Sequence, residues 1–258
     1  MDFNMYQITI FISIILASLI TPDAKMAFAT PQKGKTEVLK FDSESDVAVA
    51  LAKYTADLSA KFVKEKGSFS VVLSGGSLID TLRVVPLDSE DSNFLLASRG
   101  FLSKVPIPPG NIYAINDKLS PEGAADDYEE RLRRLVSSKV MPVSSASGFP
   151  KFDLMLLGMG PDGHIASLFP TRQQRYEKKR WVTFITDSPK PPPPRITFTF
   201  PVINSAAEIA MVVTGAELAN TTKAVLHPHQ GSPLLPAAEV SAEGELTWFL
   251  DKDAASKL

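Results

Sequence analysis

The chain of 258 residues has the size of one large domain, and 44% hydrophobic and 22% charged residues are ordinary for a globular protein with a sizeable core. A net charge of −2 argues against a nucleic-acid or anionic-membrane partner recruited by an overall field. The absence of cysteine excludes disulfides, thiolate metal sites and a cysteine nucleophile.

The first 30 residues differ from the rest of the chain. Residues 8–20 form an uncharged apolar run that is too short to span a bilayer comfortably, but long enough for the core of a signal peptide. No lysine or arginine precedes this run, so a leader without a structural role stays an equal alternative. We expect residues 1–30 to lie outside the fold and residues 31–258 to form one domain.

The remaining chain alternates between helical and strand-like patterns. Apolar residues at three- and four-residue steps predict a helix after Ser43, a second helix is predicted at 92–105, and Ser120-Pro121 is typical of the start of a third. Apolar or β-rich runs predict strands at 68–73, 111–115, 152–158, 181–186, 195–200, 208–214 and 246–250. This alternation predicts an α/β fold with three α/β/α layers and a mainly parallel, Rossmann-like sheet.

Two glycine-bearing loops follow predicted strands, at 74–77 and at 158–163. Ligands of open parallel sheets bind beyond the carboxyl ends of the strands, so we expect both loops at the same rim. In Ser74-Gly75-Gly76-Ser77, successive amides and two hydroxyls can hold an anion such as a sugar phosphate. The alternative is a tight turn that needs glycine only for its backbone angles.

The second loop presents one of the three histidines, His164, in the sequence GMGPDGHIASLFP. An imidazole is suited to general-base work near neutral pH, and Asp162 can orient it or stabilise its charged form. The alternative is a histidine that caps a helix beginning at "IASLF". His227 and His229 have no third ligand at metal-binding spacing and are interpreted as surface-loop residues.

The complete motif closely resembles the signature of 6-phosphogluconolactonases. The segments "LSGGS", "KPPPPRITFTFPVINSA" and "GELTWFLDKDAA" also resemble that family, particularly its plant-type members. The resemblance covers roughly residues 38–258. It implies a three-layer fold related to glucosamine-6-phosphate isomerases and deaminases, and hydrolysis of 6-phosphoglucono-1,5-lactone in the oxidative pentose phosphate pathway without metal or other cofactor.

The resemblance also implies roles for individual residues. His164 would act as the base on the attacking water, with Asp162 assisting. The substrate and its phosphate would be bound by Ser74, Gly75, Gly76, Ser77, Arg83, Gly160, Gly163 and Arg195. For Arg195 a ligand-binding role and a surface position at the start of a strand stay open alternatives.

The chain departs from the family between the first glycine loop and Val84. Family members have a crossover helix, a strand and an Asp-Glu-Arg triplet there, whereas only Leu78–Arg83 remain, and of the triplet only Arg83 is matched. Six residues cannot form both a helix and a strand, so the fold is expected to lack one crossover helix and strand after residue 83. Leu218 also stands where the family has lysine.

These departures leave two alternatives to a working lactonase. One is a shortened, impaired or inert chain that only binds sugar phosphate, and the other is an amino-sugar-phosphate isomerase or deaminase. The chain ends in Ser256-Lys257-Leu258, a tripeptide that the peroxisomal import receptor reads at a C-terminus, so the predicted location is the peroxisome or the cytosol. Plastid or secretory targeting by residues 1–25 is the weaker alternative.

Overall fold

Five parallel strands form the central sheet of the computed structural model, which describes residues 34–73 and 82–258. The predicted leader, 1–30, lies outside the described residues, so the division into leader and domain stays a prediction. The strands are β1 Lys35–Phe41, β2 Val71–Leu73, β3 Leu82–Arg83, β4 Leu154–Gly158, β5 Val182–Ile185, β6 Arg195–Phe198, β7 Glu208–Val213 and β8 Glu245–Asp251. The helices are α1 Glu44–Lys66, α2 Asn93–Gly100, α3 Pro121–Ser137, α4 Phe200–Asn204 and α5 Ala219–Leu226.

The central sheet has the order β1-β8-β7-β4-β2. All residues of β4 and β7 are buried, as expected for strands that are covered on both faces. Alternate side chains of β4 enter two separate cores: Leu154 and Leu156 face α1 and α2, whereas Met155 and Leu157 face α3 and α5. The predicted three-layer α/β/α architecture is therefore confirmed.

The sheet has one strand that the sequence patterns did not predict and lacks another that they did. Strand β1 pairs in parallel with β8, but its exposed residues alternate with partly buried ones, as at a sheet edge, and its sequence has no apolar run. The strand predicted at 111–115 does not form. Among the described residues β2 is the edge strand of the central sheet, and residues 111–115 pair with no strand.

Strands β5 and β6 form a second, antiparallel sheet with β3 instead of joining the central one. Both segments are strands, as predicted, but their pairing was not, because a short apolar run does not reveal which partner strand covers it. Helix α3 packs against both strands, and the Glu129 carboxylate accepts hydrogen bonds from the backbone N–H groups of Trp181 and Val182.

The helix termini follow the predicted capping chemistry. Ser43 accepts a hydrogen bond from the N–H of Asp46 at the start of α1, and Ser120 accepts one from Gly123 at the start of α3. The helix predicted at 92–105 is shorter, since α2 ends at Gly100 and a separate 3₁₀ turn follows at Leu102–Lys104. Among residues 34–73 and 82–258, no helix combines the length and apolar character that a bilayer crossing requires.

A buried carboxylate, that of Asp153, links the residues that directly precede the edge strand β2 and its neighbour β4. Oδ2 of Asp153 accepts hydrogen bonds from the N–H (2.7 Å) and the hydroxyl (2.9 Å) of Ser70, and Oδ1 lies 2.7 Å from Nζ of Lys66. Buried donors that lose their acceptor cost free energy, so this network stabilises the attachment of β2.

We expect Asp153→Ala to lower the free energy of unfolding by roughly 2–4 kcal/mol, because it leaves the buried donors of Ser70 without their acceptor. The matched control is Asp57→Ala, which removes an exposed carboxylate from its pair with Lys53 and should cost less than about 1 kcal/mol. Urea denaturation of both variants measures the difference. Equal losses would contradict the structural role of Asp153.

Candidate active site

The loop that carries His164 leaves the carboxyl end of β4, the second strand from the sheet edge. Strand β2 runs parallel beside it, with Leu73 opposite Leu156. The carboxyl end of β2 therefore lies at the rim where the His164 loop leaves β4. The predicted phosphate turn, Ser74 to Ser77, lies outside the described residues, and its role stays a prediction.

Glycines shape the His164 loop by allowing a close approach. A Cβ atom at Gly160 would lie 2.1 Å from Cε1 and 2.2 Å from Nδ1 of the His164 ring, so no other residue fits without displacing the imidazole. Gly163 has φ +76°, a left-handed conformation that favours glycine, and its N–H donates to the carbonyl of Gly160 (2.8 Å). The loop closes through Gly160 N–H and the carbonyl of His164 (2.9 Å).

His164 and Asp162 are in direct contact. Nδ1 of the imidazole lies 2.5 Å from Oδ1 of Asp162, and the ring packs on Phe169 with centroids 4.4 Å apart. The side chain of His164 is 0% exposed and that of Asp162 42%. Nε2 of His164 is buried without a hydrogen-bond partner among the described residues. A carboxylate only accepts hydrogen bonds, so Nδ1 carries the proton and, in the neutral ring, Nε2 is the atom able to accept one.

The contact also affects the acidity of Asp162. Burial raises the pKa of its carboxyl, but the hydrogen bond from the His164 ring, the charge of that ring and backbone N–H donors together outweigh burial and hold the pKa below its ordinary value. With a depressed folded-state pKa, the carboxylate contributes stability above the pKa of the unfolded chain. That contribution is lost as the pH falls through the folded-state pKa.

His164 does not cap a helix, so that alternative was wrong. Ala166 has φ +46°, and Ile165 and Leu168 form an isolated antiparallel bridge, so the residues after the histidine form a tight turn. The N–H of Ser167, within this turn, donates to the hydroxyl of Thr197 in β6 (3.2 Å). The turn thereby connects the loop to the second sheet.

Residues 234–239, a segment distant in sequence, contact the His164 loop at Gly163, and the sequence patterns did not predict this contact. The N–H of Ala237 donates to the carbonyl of Gly163 (2.9 Å), and the side chain of Leu235 packs against Gly163. Buried Arg175 holds this segment through Glu239 and the carbonyl of Leu234. Sequence reasoning missed the segment that contains Leu235 and Ala237 because it lies about 70 positions from the loop, outside any local motif.

Arg195 lies inside the protein, so the alternative of a surface arginine was wrong. It is 0% exposed, and its guanidinium donates to the carbonyls of Lys190 (2.6 Å), Pro191 (3.2 Å) and Pro192 (2.9 Å). Its Cζ atom lies 5.9 Å from the centroid of Phe169, the ring that contacts His164. Arg195 thus fixes the proline-rich segment and places a positive charge near the histidine.

Other residues that the sequence singled out belong to different elements of the fold. The backbone of Arg83 pairs with that of Arg195 in the second sheet. Leu218 is buried in the core between the central sheet and α3. His227 and His229 are exposed, as predicted for a surface loop. Within residues 34–73 and 82–258, no group of three or more histidine, aspartate or glutamate side chains could hold a metal ion.

Comparisons with known proteins show the family of the chain. The profile of the family "Glucosamine-6-phosphate isomerases/6-phosphogluconolactonase" matches residues 83–248. A rice protein named "Probable 6-phosphogluconolactonase 4, chloroplastic" is 58% identical over 86% of this chain and 76% of its own length. An Arabidopsis thaliana protein named "6-phosphogluconolactonase 3, chloroplastic" is 53% identical over 90% of this chain and 79% of its own. The chain belongs to the glucosamine-6-phosphate isomerase/6-phosphogluconolactonase family.

Solved structures agree with the fold. The crystal structure of a 6-phosphogluconolactonase from Thermotoga maritima superposes with a TM-score of 0.68 at 30% identity, covering 84% of this chain and 100% of that one. The lower identity at conserved architecture is expected, because a fold tolerates extensive substitution when volume and hydrophobic pattern are kept.

The chain is shorter than its relatives within the matched region. The alignment with the rice protein spans 248 positions but covers 86% of 258 residues, about 222, so about 26 positions lack a counterpart here, enough for a crossover helix and a strand. The Arabidopsis alignment, 259 positions against about 232 residues, gives about 27 by the same reasoning. This difference agrees with the predicted loss, and the family profile begins at Arg83, the last residue of the shortened segment.

The predicted peroxisomal or cytosolic location was wrong. The rice and Arabidopsis relatives are named chloroplastic, which points to the plastid. In the terminal tripeptide, Leu258 packs against the main core and its N–H donates to the carbonyl of Ala255, whereas Ser256 and Lys257 are exposed.

Substituting Gly160 tests the close approach to His164. We expect Gly160→Ala to displace the imidazole and lower the free energy of unfolding by about 1–3 kcal/mol, because the added methyl group overlaps the ring. At Gly110 an added Cβ meets nothing within 4 Å, so Gly110→Ala is the control and should change stability by less than about 1 kcal/mol. Thermal unfolding and a crystal structure of the first variant measure both effects.

Removing the imidazole of His164 tests whether the contact sets the pKa of the Asp162 carboxyl. In His164→Leu the Asp162 carboxyl stays partly buried but loses the hydrogen bond from the imidazole. Its pKa should therefore rise towards or above the ordinary value. A ¹³C NMR titration of the Asp162 carboxyl measures the shift, with His227→Leu, at an exposed histidine, as the control. An unchanged titration in His164→Leu would show that the contact does not govern the carboxyl.

Proposed function

We propose that this chain hydrolyses 6-phosphoglucono-1,5-lactone to 6-phosphogluconate, a step of the oxidative pentose phosphate pathway. The observation that carries the proposal is the buried imidazole of His164, with Nδ1 on Asp162 and Nε2 without a partner among the described residues. Family membership and relatives named 6-phosphogluconolactonase support the choice of substrate.

In the proposed mechanism, Nε2 of His164 takes a proton from water while the water oxygen attacks the lactone carbonyl carbon. The bond between that carbon and the ring oxygen then breaks, the imidazolium of His164 gives its proton to the ring oxygen, which leaves as a hydroxyl, and a carboxylic acid forms. Asp162 holds the imidazole in the tautomer with the proton on Nδ1 and stabilises the imidazolium. Its depressed pKa keeps the carboxylate ionised for this task.

The reaction makes modest demands on the protein. A lactone carbonyl is already electrophilic, so a positioned base and stabilisation of the developing oxyanion suffice, and the proposal requires no cofactor. We assign the substrate contacts to the predicted set, with the Ser74–Ser77 turn and Arg83 for the phosphate and the backbone of Gly160 and Gly163 for the sugar. Arg195, whose guanidinium lies over the ring of Phe169, is assigned a contribution of positive charge to the binding of the ligand.

A second candidate is favoured by one observation, the missing stretch of about 26 positions relative to the rice protein. The predicted position of this loss is next to the predicted phosphate turn. A chain that binds the sugar phosphate without turning it over would have the same fold and the same His164 loop. Direct measurement of turnover and of binding separates the two candidates.

The proposal predicts that the purified chain consumes freshly made 6-phosphogluconolactone faster than the spontaneous reaction. His164→Ala should reduce kcat by about 10²–10⁴-fold, the usual contribution of a general base. The control variant, His229→Ala, changes an exposed histidine and should keep the wild-type rate.

The outcomes are separable. Wild-type binding of 6-phosphogluconate without lactone turnover would favour the non-catalytic candidate. Release of ammonia from glucosamine 6-phosphate would instead place the chain with the deaminases. Equal rates for the wild type and His164→Ala would remove His164 from the mechanism.

A further inference from the structure

A threonine of α5 holds the exposed side of the His164 loop. Thr221 lies in the first turn of the helix, and its hydroxyl donates to the carbonyl of Pro161, with 2.7 Å between the oxygens. Pro161 immediately precedes Asp162. The contact thus joins two segments 60 positions apart in sequence, and it falls at the peptide bond that carries the partner of His164.

The loop has different supports on its two sides. At Gly163 the backbone is buried and held by Ala237 and Leu235. Pro161 and Asp162 are both exposed, so packing contributes less to their placement. On this side the orientation of the backbone depends more on individual hydrogen bonds, and the bond from Thr221 acts directly on the carbonyl of Pro161.

We propose that Thr221 is a positioning residue for the Asp162–His164 pair. Rotation of the Pro161–Asp162 peptide would move the Asp162 carboxylate relative to Nδ1 of His164, and the hydroxyl of Thr221 restrains that rotation by fixing the carbonyl at one end. The catalytic part of this inference rests on the proposed function. Displacements of about 1 Å in a catalytic group can cost as much as about 10²-fold in rate, so one such restraint affects turnover.

The next residue supplies a matched control. The hydroxyl of Thr222 is buried and has no hydrogen-bond partner among the described residues, and the residue is 0% exposed. Replacing either threonine by valine keeps the shape and changes the same helix turn. Only the change at Thr221 removes a hydrogen bond to the loop.

The kinetic test compares Thr221→Val, Thr222→Val and Thr221→Ser. We expect Thr221→Val to lower kcat by about 10-fold with KM changed by less than about 2-fold, because the base is misplaced while the substrate contacts remain. Thr221→Ser keeps the hydroxyl and should restore most of kcat, and Thr222→Val should match the wild type. Equal kcat in all three variants, or equal losses in both valine variants, would overturn the inference.

A second readout does not depend on turnover. The contact with His164 lowers the pKa of the Asp162 carboxyl, so a weaker contact should let that pKa rise towards its ordinary value. A ¹³C titration should show this rise in Thr221→Val but not in Thr222→Val. If the wild type lacks lactonase activity but this shift occurs, the proposed function fails and the positioning role stands. An unchanged titration in Thr221→Val overturns the positioning role even in an active enzyme.

Discussion

The approach of the Gly160 backbone to the imidazole of His164 is the constraint on which the rest of the site depends. The ring occupies the space of a side chain at position 160, and this places Nδ1 against Asp162 and turns Nε2 away from it. The left-handed backbone at Gly163 closes the loop, and the supports from Leu235 and Ala237 act at that same residue. A single rigid loop thus sets the position, burial and tautomer of the histidine together.

The sequence patterns predicted those parts of the fold that depend on local chemistry. The capping residues Ser43 and Ser120 begin helices as expected, and the continuous apolar run at 152–158 is a buried central strand. The patterns did not predict which strands pair with each other. Residues 111–115 have the composition of a strand but pair with none, and the strand-forming segments of β5 and β6 pair with each other in a separate sheet. Composition reports that a segment can form a strand, whereas the partner is decided by distant residues.

At the site, the motif predicted the contact between Asp162 and His164, because two residues separated by one glycine in a tight loop cannot lie far apart. The burial of Arg195 was not predicted, since its acceptors are backbone carbonyls, which no residue pattern distinguishes. Leu235, Ala237 and Thr221 were missed for a related reason. They support the loop through main-chain atoms or packing from segments about 60–75 positions away, and a single sequence carries no signal of such pairings.

The most direct test of the account is the tautomer of His164 in the folded protein near neutral pH. A long-range ¹H–¹⁵N NMR spectrum of the histidine rings distinguishes the two nitrogens by their chemical shifts. The account predicts that Nδ1 carries the proton, donated to Asp162, and that Nε2 is unprotonated in the neutral ring. A neutral ring protonated at Nε2 would leave that atom unable to accept a proton from water, and would contradict the assignment of His164 as a base.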